Sequence, residues 1–351
     1  MDTIFSNVKI ESWGYEMPEE TLSSSDIEKL LSPVYERLKL PEGRLELMSG
    51  IKERRIWRKG TRPSDAAYLA GRNAISRSGL DTRDIGCLIN CSVCRDCLEP
   101  ATATIVHDKL KLSEDCLVFD ISNACLGILT GMLLVSTMIE NRQIKAGMLV
   151  AGENSRSLIE STIAEMNGNL SLTRKSIKSY FSSLTIGSGA IAMILCRSDI
   201  GGDRPILKGG STLAVTRHNS LCQGNEDKGM EDNLDTLMNT DSERLMHEGV
   251  SVAKQTWNLF KNATGWNQDT ADIIFTHQVG VAHKKLLFET LGLKPEKDFS
   301  TLEKLGNTGS VSCPLTFAIA TDAGKFKKGM KAVMLGIGSG INCTMLGVEW
   351  L

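Results

Sequence analysis

The sequence predicts an α/β layered protein in which one unit is used twice, and three observations carry that prediction. Short apolar runs alternate with helix-compatible stretches, the order that gives parallel strand pairing through right-handed crossovers. Two pairs of strands open on matching residues at nearly equal spacing. Asp84-Ile85 is echoed by Asp272-Ile273, and Lys145-Ala146-Gly147-Met148-Leu149 by Lys331-Ala332-Val333-Met334-Leu335. Between the paired strands, each half has a helix opening with an asparagine, Asn123 in the first and Asn307 in the second. Residues 1–200 then form an N-terminal half and 201–351 a C-terminal half. A segment at about 154–184 has no counterpart in the second copy and reads as an insertion capping a site.

The elements follow in order. A strand is expected around Ile4 to Trp13, then a helix from Ser25, where Ser25 and Glu28 have capping-box spacing. Lys52-Glu53-Arg54-Arg55 reads as a solvated strand or loop edge. Ser64-Asp65 caps a helix over Ala66 to Ser78 that ends at Gly79. Asp84 to Cys91 is a buried strand, and a helix starts near Pro100. Cys116-Leu117-Val118-Phe119 is a further buried strand. The run Leu126 to Val135 is apolar on every side, which suits a helix crossing the core. Gly147 to Gly152 is again a strand.

Composition excludes several function classes. The 351 residues include 40 basic and 42 acidic side chains with no basic block, so nothing points to nucleic acid or an anionic membrane. No window approaches eighteen uninterrupted apolar residues, and the N-terminus has neither the basic nor the apolar region of a signal peptide. With ten cysteines and no such signal, the expectation is free thiols in a reducing cytoplasm.

Chemistry is expected at three places. Cys125 lies on the first turn of the core helix, where unpaired N–H groups and the helix dipole favour thiolate over thiol. A small residue packed where strand meets helix would leave the same trace. His277 follows the strand Ile273 to Thr276, and Asn307 opens the second buried helix. In an open α/β sheet such positions converge beyond the carboxyl ends of the strands. The cysteine would take an acyl group, while His277 and the Asn307 amide hydrogen-bond the carbonyl oxygen of a second thioester as it becomes enolate. The turn Gly336-Ile337-Gly338-Ser339-Gly340 offers backbone N–H groups for the other oxyanion.

Cys125 in Asn-Ala-Cys-Leu-Gly, His277 in Thr-His-Gln, Asn307 in Gly-Asn-Thr-Gly-Ser and the Gly338-Ser339-Gly340 turn resemble the Cys-His-Asn set of the thiolase superfamily. The likeness, nearly chain-long, is to 3-oxoacyl-acyl carrier protein synthase III enzymes, whose Gly-Ile-Arg-Glu-Arg segment resembles Gly50 to Arg55. It implies a duplicated five-layered α-β-α-β-α fold, a homodimer, and an oxyanion hole from the N–H groups of Cys125 and Ser339. Ser92 to Pro100, Phe181 to Ala190 and Gly336 to Cys343 are similar to the superfamily branch that joins two fatty acyl-CoAs head to head in long-chain olefin biosynthesis. In that branch a glutamate at the position of Glu99 enters the partner subunit's site as the base for the second substrate.

The resemblance thus implies a condensation of two long-chain acyl-CoAs to a 2-alkyl-3-oxoalkanoate without decarboxylation, with no cofactor beyond the CoA thioesters. A reductase and a β-lactone synthetase are expected downstream. A malonyl donor makes its carbanion by losing CO₂, whereas an ordinary acyl-CoA must surrender an α-proton, the demand a partly desolvated Glu99 would meet. As a plain structural residue, Glu99 would place charge near the helix that Pro100 begins. The alternatives are a decarboxylative synthase III using malonyl-acyl carrier protein, which gives Glu99 no task, and a thioester-binding homologue without turnover. Cys91, Cys94 and Cys97 have the spacing of an iron–sulfur run but lack a fourth ligand, so no metal is expected. His218 is expected in a groove or on the surface, and His283, Lys284 and Lys285 on a solvated helix face.

Overall fold

The computed structural model describes residues 1–224 and 237–351. Its centre is a ten-stranded sheet. The strands are β1 (Asp2–Ile4), β2 (Val8–Glu16), β3 (Ile85–Asn90), β4 (Leu117–Asp120), β5 (Ala146–Glu153), β6 (Gly189–Arg197), β7 (Ile206–Ala214), β8 (Ile273–Thr276), β9 (Lys331–Gly338) and β10 (Asn342–Glu349). They run in the order β8-β9-β10-β7-β2-β6-β5-β3-β4, with β1 on β7. Between β2 and β7 the ladder is a single pair, Lys9 with Ile206, so the sheet consists of two halves joined at a seam.

The two halves repeat one topology. The first reads β4-β3-β5-β6-β2, and the second reads β8-β9-β10-β7, with Asp298 bridged to Ile274 in the place of β4. The echoed residues are partners in register: Ile85 opposes Ala146, and Ile273 opposes Ala332. Their neighbours close each pair, Lys145 Nζ on Asp84 Oδ1 at 2.7 Å and the Lys331 N–H on Asp272 Oδ2 at 2.8 Å. Parallel pairing holds for β3, β4 and β5, and for β8 and β9, whereas the last strand of each half pairs antiparallel. The turn between β9 and β10 is too short for a crossover, so that pair could only be antiparallel.

Helices form three layers, one outside each half-sheet and one between them. α1 (Pro63–Arg77) and α2 (Thr102–Leu110) cover the outer face of the first half; α5 (Ser242–Thr264) and α6 (Val281–Leu291) cover that of the second. Between the half-sheets lie α3 (Gly127–Glu140) and α7 (Ser312–Asp322), which touch strands of both. This explains the all-round apolarity of the Leu126 run. Leu126, Ile128, Leu129, Met132, Val135 and Ile139 are essentially inaccessible, and each such side chain contributes about 1.5–3 kcal/mol. Gly127 is required because a Cβ there would stand 1.9 Å from the Cys91 carbonyl oxygen. α4 (Arg156–Gly168) packs instead on short helices between Ser24 and Ser49, around Ile27, Leu31 and Phe181.

Local details depart from expectation. The first strand divides into β1 and β2, because residues 1–4 pair with β7 across the seam. The first helix is capped by Ser23, whose Oγ accepts from the Asp26 N–H at 3.0 Å, not by Ser25. Glu28 cannot close a capping box, since its carboxylate is turned inward to accept from the Gly43 and Leu45 N–H groups, each at 2.7 Å. At the next helix Asp65 accepts from the Arg62 N–H, one turn earlier than expected. Arg54 is no solvated edge residue: it is fully buried, donating to Leu22 O and Ser24 Oγ. Strand alternation puts Arg54 inward and its charged neighbours Glu53 and Arg55 outward.

Candidate active site

Cys125 sits in a 3₁₀ turn, Ala124–Leu126, that leads into α3. Ala124 carries a φ of 44°, a left-handed conformation that costs a residue with a Cβ about 1 kcal/mol or more and persists where the surroundings impose it. Those surroundings are β9 on one side and the turn Gly309–Val311 on the other, both packed on Ala124–Leu126. Gly338 is what admits the close approach. A Cβ there would lie 3.1 Å from Leu126 Cγ and 3.5 Å from the Cys125 backbone nitrogen. The Cys125 N–H thus opens beside Gly338 and Ser339, at the end of β9, where the first groups of a helix have no intrahelical partner.

The thiol does not have the low pKa that helix position alone suggests. Burial pushes it up to about 12, with the Glu153 carboxylate and the Cys222 thiol acting in the same direction. Desolvation and a nearby negative charge outweigh the turn's dipole. At neutral pH Cys125 is a thiol and needs a proton acceptor as it attacks.

His277 follows β8 and is 6% exposed. Its N–H donates to Leu335 O of β9 at 2.9 Å, which carries the β8 ladder one residue beyond the strand. Burial, with His283 nearby, holds the imidazole pKa down at about 3, so the ring is neutral. Its Nδ1 is buried and has no hydrogen-bond partner among the described residues. Asn307 is 8% exposed and strapped by its backbone, its N–H donating to Thr185 O at 2.9 Å and its O accepting from the Gly187 N–H at 2.8 Å. Asn307 Oδ1 accepts from the Gly309 N–H at 3.0 Å, so the amide NH₂ is the end left for a ligand. The Gln278 N–H donates to Ser312 Oγ at 3.0 Å, tying the His277 loop to the start of α7 behind Asn307.

Cys125, His277, Asn307 and Ser339 therefore come from four elements that meet at one end of the strands. Glu99 does not join them within the chain. It lies exposed on the loop between β3 and α2, and its carboxylate has no partner among the described residues. Sequence reasoning missed two residues. Glu153, which ends β5, is buried beside Cys125 and accepts from the Val93 and Cys94 N–H groups and from Ser310 Oγ. Asn342 donates from Nδ2 to Asn123 Oδ1 at 2.9 Å, fastening the Ser339 turn to the residues ahead of Cys125. An acidic residue ending an otherwise apolar strand was the available signal for Glu153.

Other candidates resolve differently. His218 is buried rather than at a surface or groove, its Nε2 3.3 Å from Glu248 Oε2. Lys284 pairs with Asp298 at 2.8 Å, and Lys285 is exposed. Cys91 and Cys94 contact Ile89 O and Asn154 O, and no metal-holding cluster occurs among the described residues.

A family model described as 3-oxoacyl-[acyl-carrier-protein (ACP)] synthase III C terminal matches residues 262–350. The chain is 40% identical to the acyl-CoA:acyl-CoA alkyltransferase of Shewanella oneidensis, over 99% of both chains. It is 25% identical to a beta-ketoacyl-[acyl-carrier-protein] synthase III of Koribacter versatilis, over 99% of both. Among solved structures, Xanthomonas campestris OleA with a cysteine replaced by serine, carrying lauric acid and lauroyl-CoA, superposes with a TM-score of 0.92 at 36% identity. That match covers 99% of this chain and 100% of the other.

Proposed function

We propose that this chain, which belongs to the acyl-CoA:acyl-CoA alkyltransferase family of thiolase-fold enzymes, joins two long-chain acyl-CoAs head to head without decarboxylation. One observation carries the reading. The Cys125 turn is wedged between the end of β9 and the turn after Asn307, with His277 bonded to the same strand, which supports a nucleophile and two hydrogen-bonding side chains sharing one site.

The steps follow from these groups. Cys125 Sγ attacks the carbonyl carbon of the first thioester, the oxyanion rests on the N–H groups of Cys125 and Ser339, and CoA leaves with the thiol's proton. A second acyl-CoA then binds with its carbonyl oxygen toward His277 and the Asn307 amide. A neutral imidazole suits this task, since it donates a hydrogen bond without giving up its charge state. Glu99 takes the α-proton, the resulting carbanion attacks the acyl group on Cys125, the carbon–carbon bond forms and the carbon–sulfur bond breaks. The Cys125 thiolate takes up the proton that Glu99 accepted, restoring both groups, and hydrolysis of the remaining thioester by water frees the second CoA and the 2-alkyl-3-oxoalkanoate. No resident cofactor enters this sequence.

Support for Glu99 comes from spacing. Xanthomonas campestris OleA has been solved with one glutamate replaced and with one cysteine replaced, 26 positions apart, the separation of Glu99 and Cys125. Because Glu99 is exposed in the single chain, its task requires a second copy. The free edge strand β4, with Leu117 51% exposed, and the exposed Val93 and Leu98 beside Glu99 support a homodimer through this face. The repeat topology supports halves of 1–200 and 201–351. The segment at about 154–184 would help shape the acyl site, since Asn307 is strapped to Thr185 and Gly187 just beyond it. Among the described residues no helix is long and apolar enough to cross a membrane, and all ten cysteines are free, which supports a cytoplasmic setting. A reductase and a β-lactone synthetase would act on the product.

Incubation of the purified protein with myristoyl-CoA alone tests the reading. Free CoA and a 3-oxo acid, or the ketone from its decarboxylation, are expected by mass detection. A strict requirement for a malonyl thioester would instead select the synthase III reaction, the activity named by the family model over residues 262–350.

A further inference from the structure

The carboxylate of Glu153 is 4% exposed, and among the described residues no lysine or arginine pairs with it. A buried, cation-free charge is costly unless hydrogen bonds satisfy it. Here they do, and they come from two different segments. Oε1 accepts from the Val93 N–H at 2.8 Å and from Ser310 Oγ at 2.5 Å, while Oε2 accepts from the Cys94 N–H at 3.1 Å. Val93 and Cys94 open the loop that carries Glu99. Ser310 belongs to the turn whose Gly309 N–H holds Asn307 Oδ1, and a Cβ at Gly309 would already touch the Glu153 carboxyl carbon at 3.4 Å. An apolar residue here would pack as well but could hold neither segment.

We propose that Glu153 is a positioning residue that fixes the Glu99 loop and the Asn307 turn relative to each other across Cys125, and so serves the carbon–carbon bond-forming half of the reaction. The proposal rests on the condensation reading above. Acylation of Cys125 uses the N–H groups of Cys125 and Ser339, to which Glu153 makes no hydrogen bond and which it reaches only through the Ser310 turn packed on Ala124–Leu126. In the dimer each site takes the Asn307 amide of one copy and Glu99 of the other, so one Glu153 holds both the amide of its own site and the base lent to the partner's; misplacement of either by about 1 Å costs on the order of 10²-fold. The Glu153 charge also raises the Cys125 pKa, so removing it leaves a more reactive thiol.

Glu153→Gln and Glu153→Asp test this in the full-length protein. Glutamine keeps the shape but offers one acceptor oxygen for three donors, and aspartate keeps the charge but shortens the reach. For Glu153→Gln, acyl-enzyme formation from myristoyl-CoA, read by intact-protein mass, is expected within about ten-fold of wild type, with condensed product falling by about 10²-fold. Cys125 should be alkylated faster by iodoacetamide at pH 8. Glu153→Asp should lose condensation likewise but keep the wild-type alkylation rate. Amide hydrogen exchange should rise in 91–99 and 306–311 in both variants and not elsewhere. Equal loss of both half-reactions, or retained condensation, overturns the proposal. If Glu153→Gln does not fold, the two half-reactions of Glu153→Asp decide the matter by the same criteria. Were wild type to acylate but not condense without a malonyl thioester, the condensation reading would fail by itself. Exchange in the two segments would then decide Glu153 alone, and unchanged protection there overturns it.

Discussion

Lowering the pH from 7 to 5 should destabilise this protein through one buried ring. His277 is held neutral, its pKa lowered by burial and by His283 to about 3, against about 6.5 when unfolded. Below pH 6.5 the unfolded chain takes up a proton that the folded chain refuses, so stability falls as the pH drops and continues to fall until about pH 3. At pH 5 the difference is about 1.5 pH units of linkage at 1.36 kcal/mol each, or about 2 kcal/mol. Urea unfolding of wild type and His277→Gln at pH 7 and pH 5 isolates the ring from the carboxylates that both proteins share. Wild type should lose about 2 kcal/mol more than the variant over that interval. A difference under about 0.5 kcal/mol would mean that His277 is solvated or paired, and that its use as a neutral hydrogen-bond donor is wrong.

Five further outcomes are expected. Cys125→Ala should form no acyl-enzyme, and iodoacetamide labelling of Cys125 should quicken about ten-fold per pH unit from 7 to 9 because the thiol titrates near 12; a plateau near pH 7 would show a thiolate. Glu99→Ala should still load Cys125 but make about 10²-fold less condensed product, and normal condensation would remove Glu99 as the base. Gly338→Ala places a methyl 3.5 Å from the Cys125 nitrogen and should slow acylation by about 10²-fold, measured as the first-turnover burst of CoA. Asn342→Ala removes the 2.9 Å bond to Asn123 and should cost about 1 kcal/mol, seen as a thermal midpoint lower by about 2 °C.

Much of this site can be read linearly because the elements that bear it are local. Cys125, Asn307 and the Gly336–Gly340 turn each sit where an apolar run begins or ends, and chain direction then fixes which end of the sheet they reach. The repeated Asp-Ile and Lys-Ala openings are legible for the same reason, since each marks the start of a strand and the paired openings meet in register. Helix position also suggests an activated thiolate, and there local reasoning fails. The pKa of Cys125 is set by burial and by Glu153, which lies 28 positions away in the chain but beside it in the fold. Arg54 misleads likewise: a run of four charges looks solvated until the sheet turns one of them inward.

The α/β repeat, and the place of Cys125, His277 and Asn307 at the ends of apolar runs, are legible without any fold, because strand and helix periodicity is written in neighbouring residues. The environment of those groups emerges only with folding: which thiol is neutral, which imidazole is uncharged, and which carboxylate ties two loops together. Ionisation and loop position depend on desolvation and on contacts between residues remote in sequence, and these exist only once the two half-sheets have closed on α3 and α7.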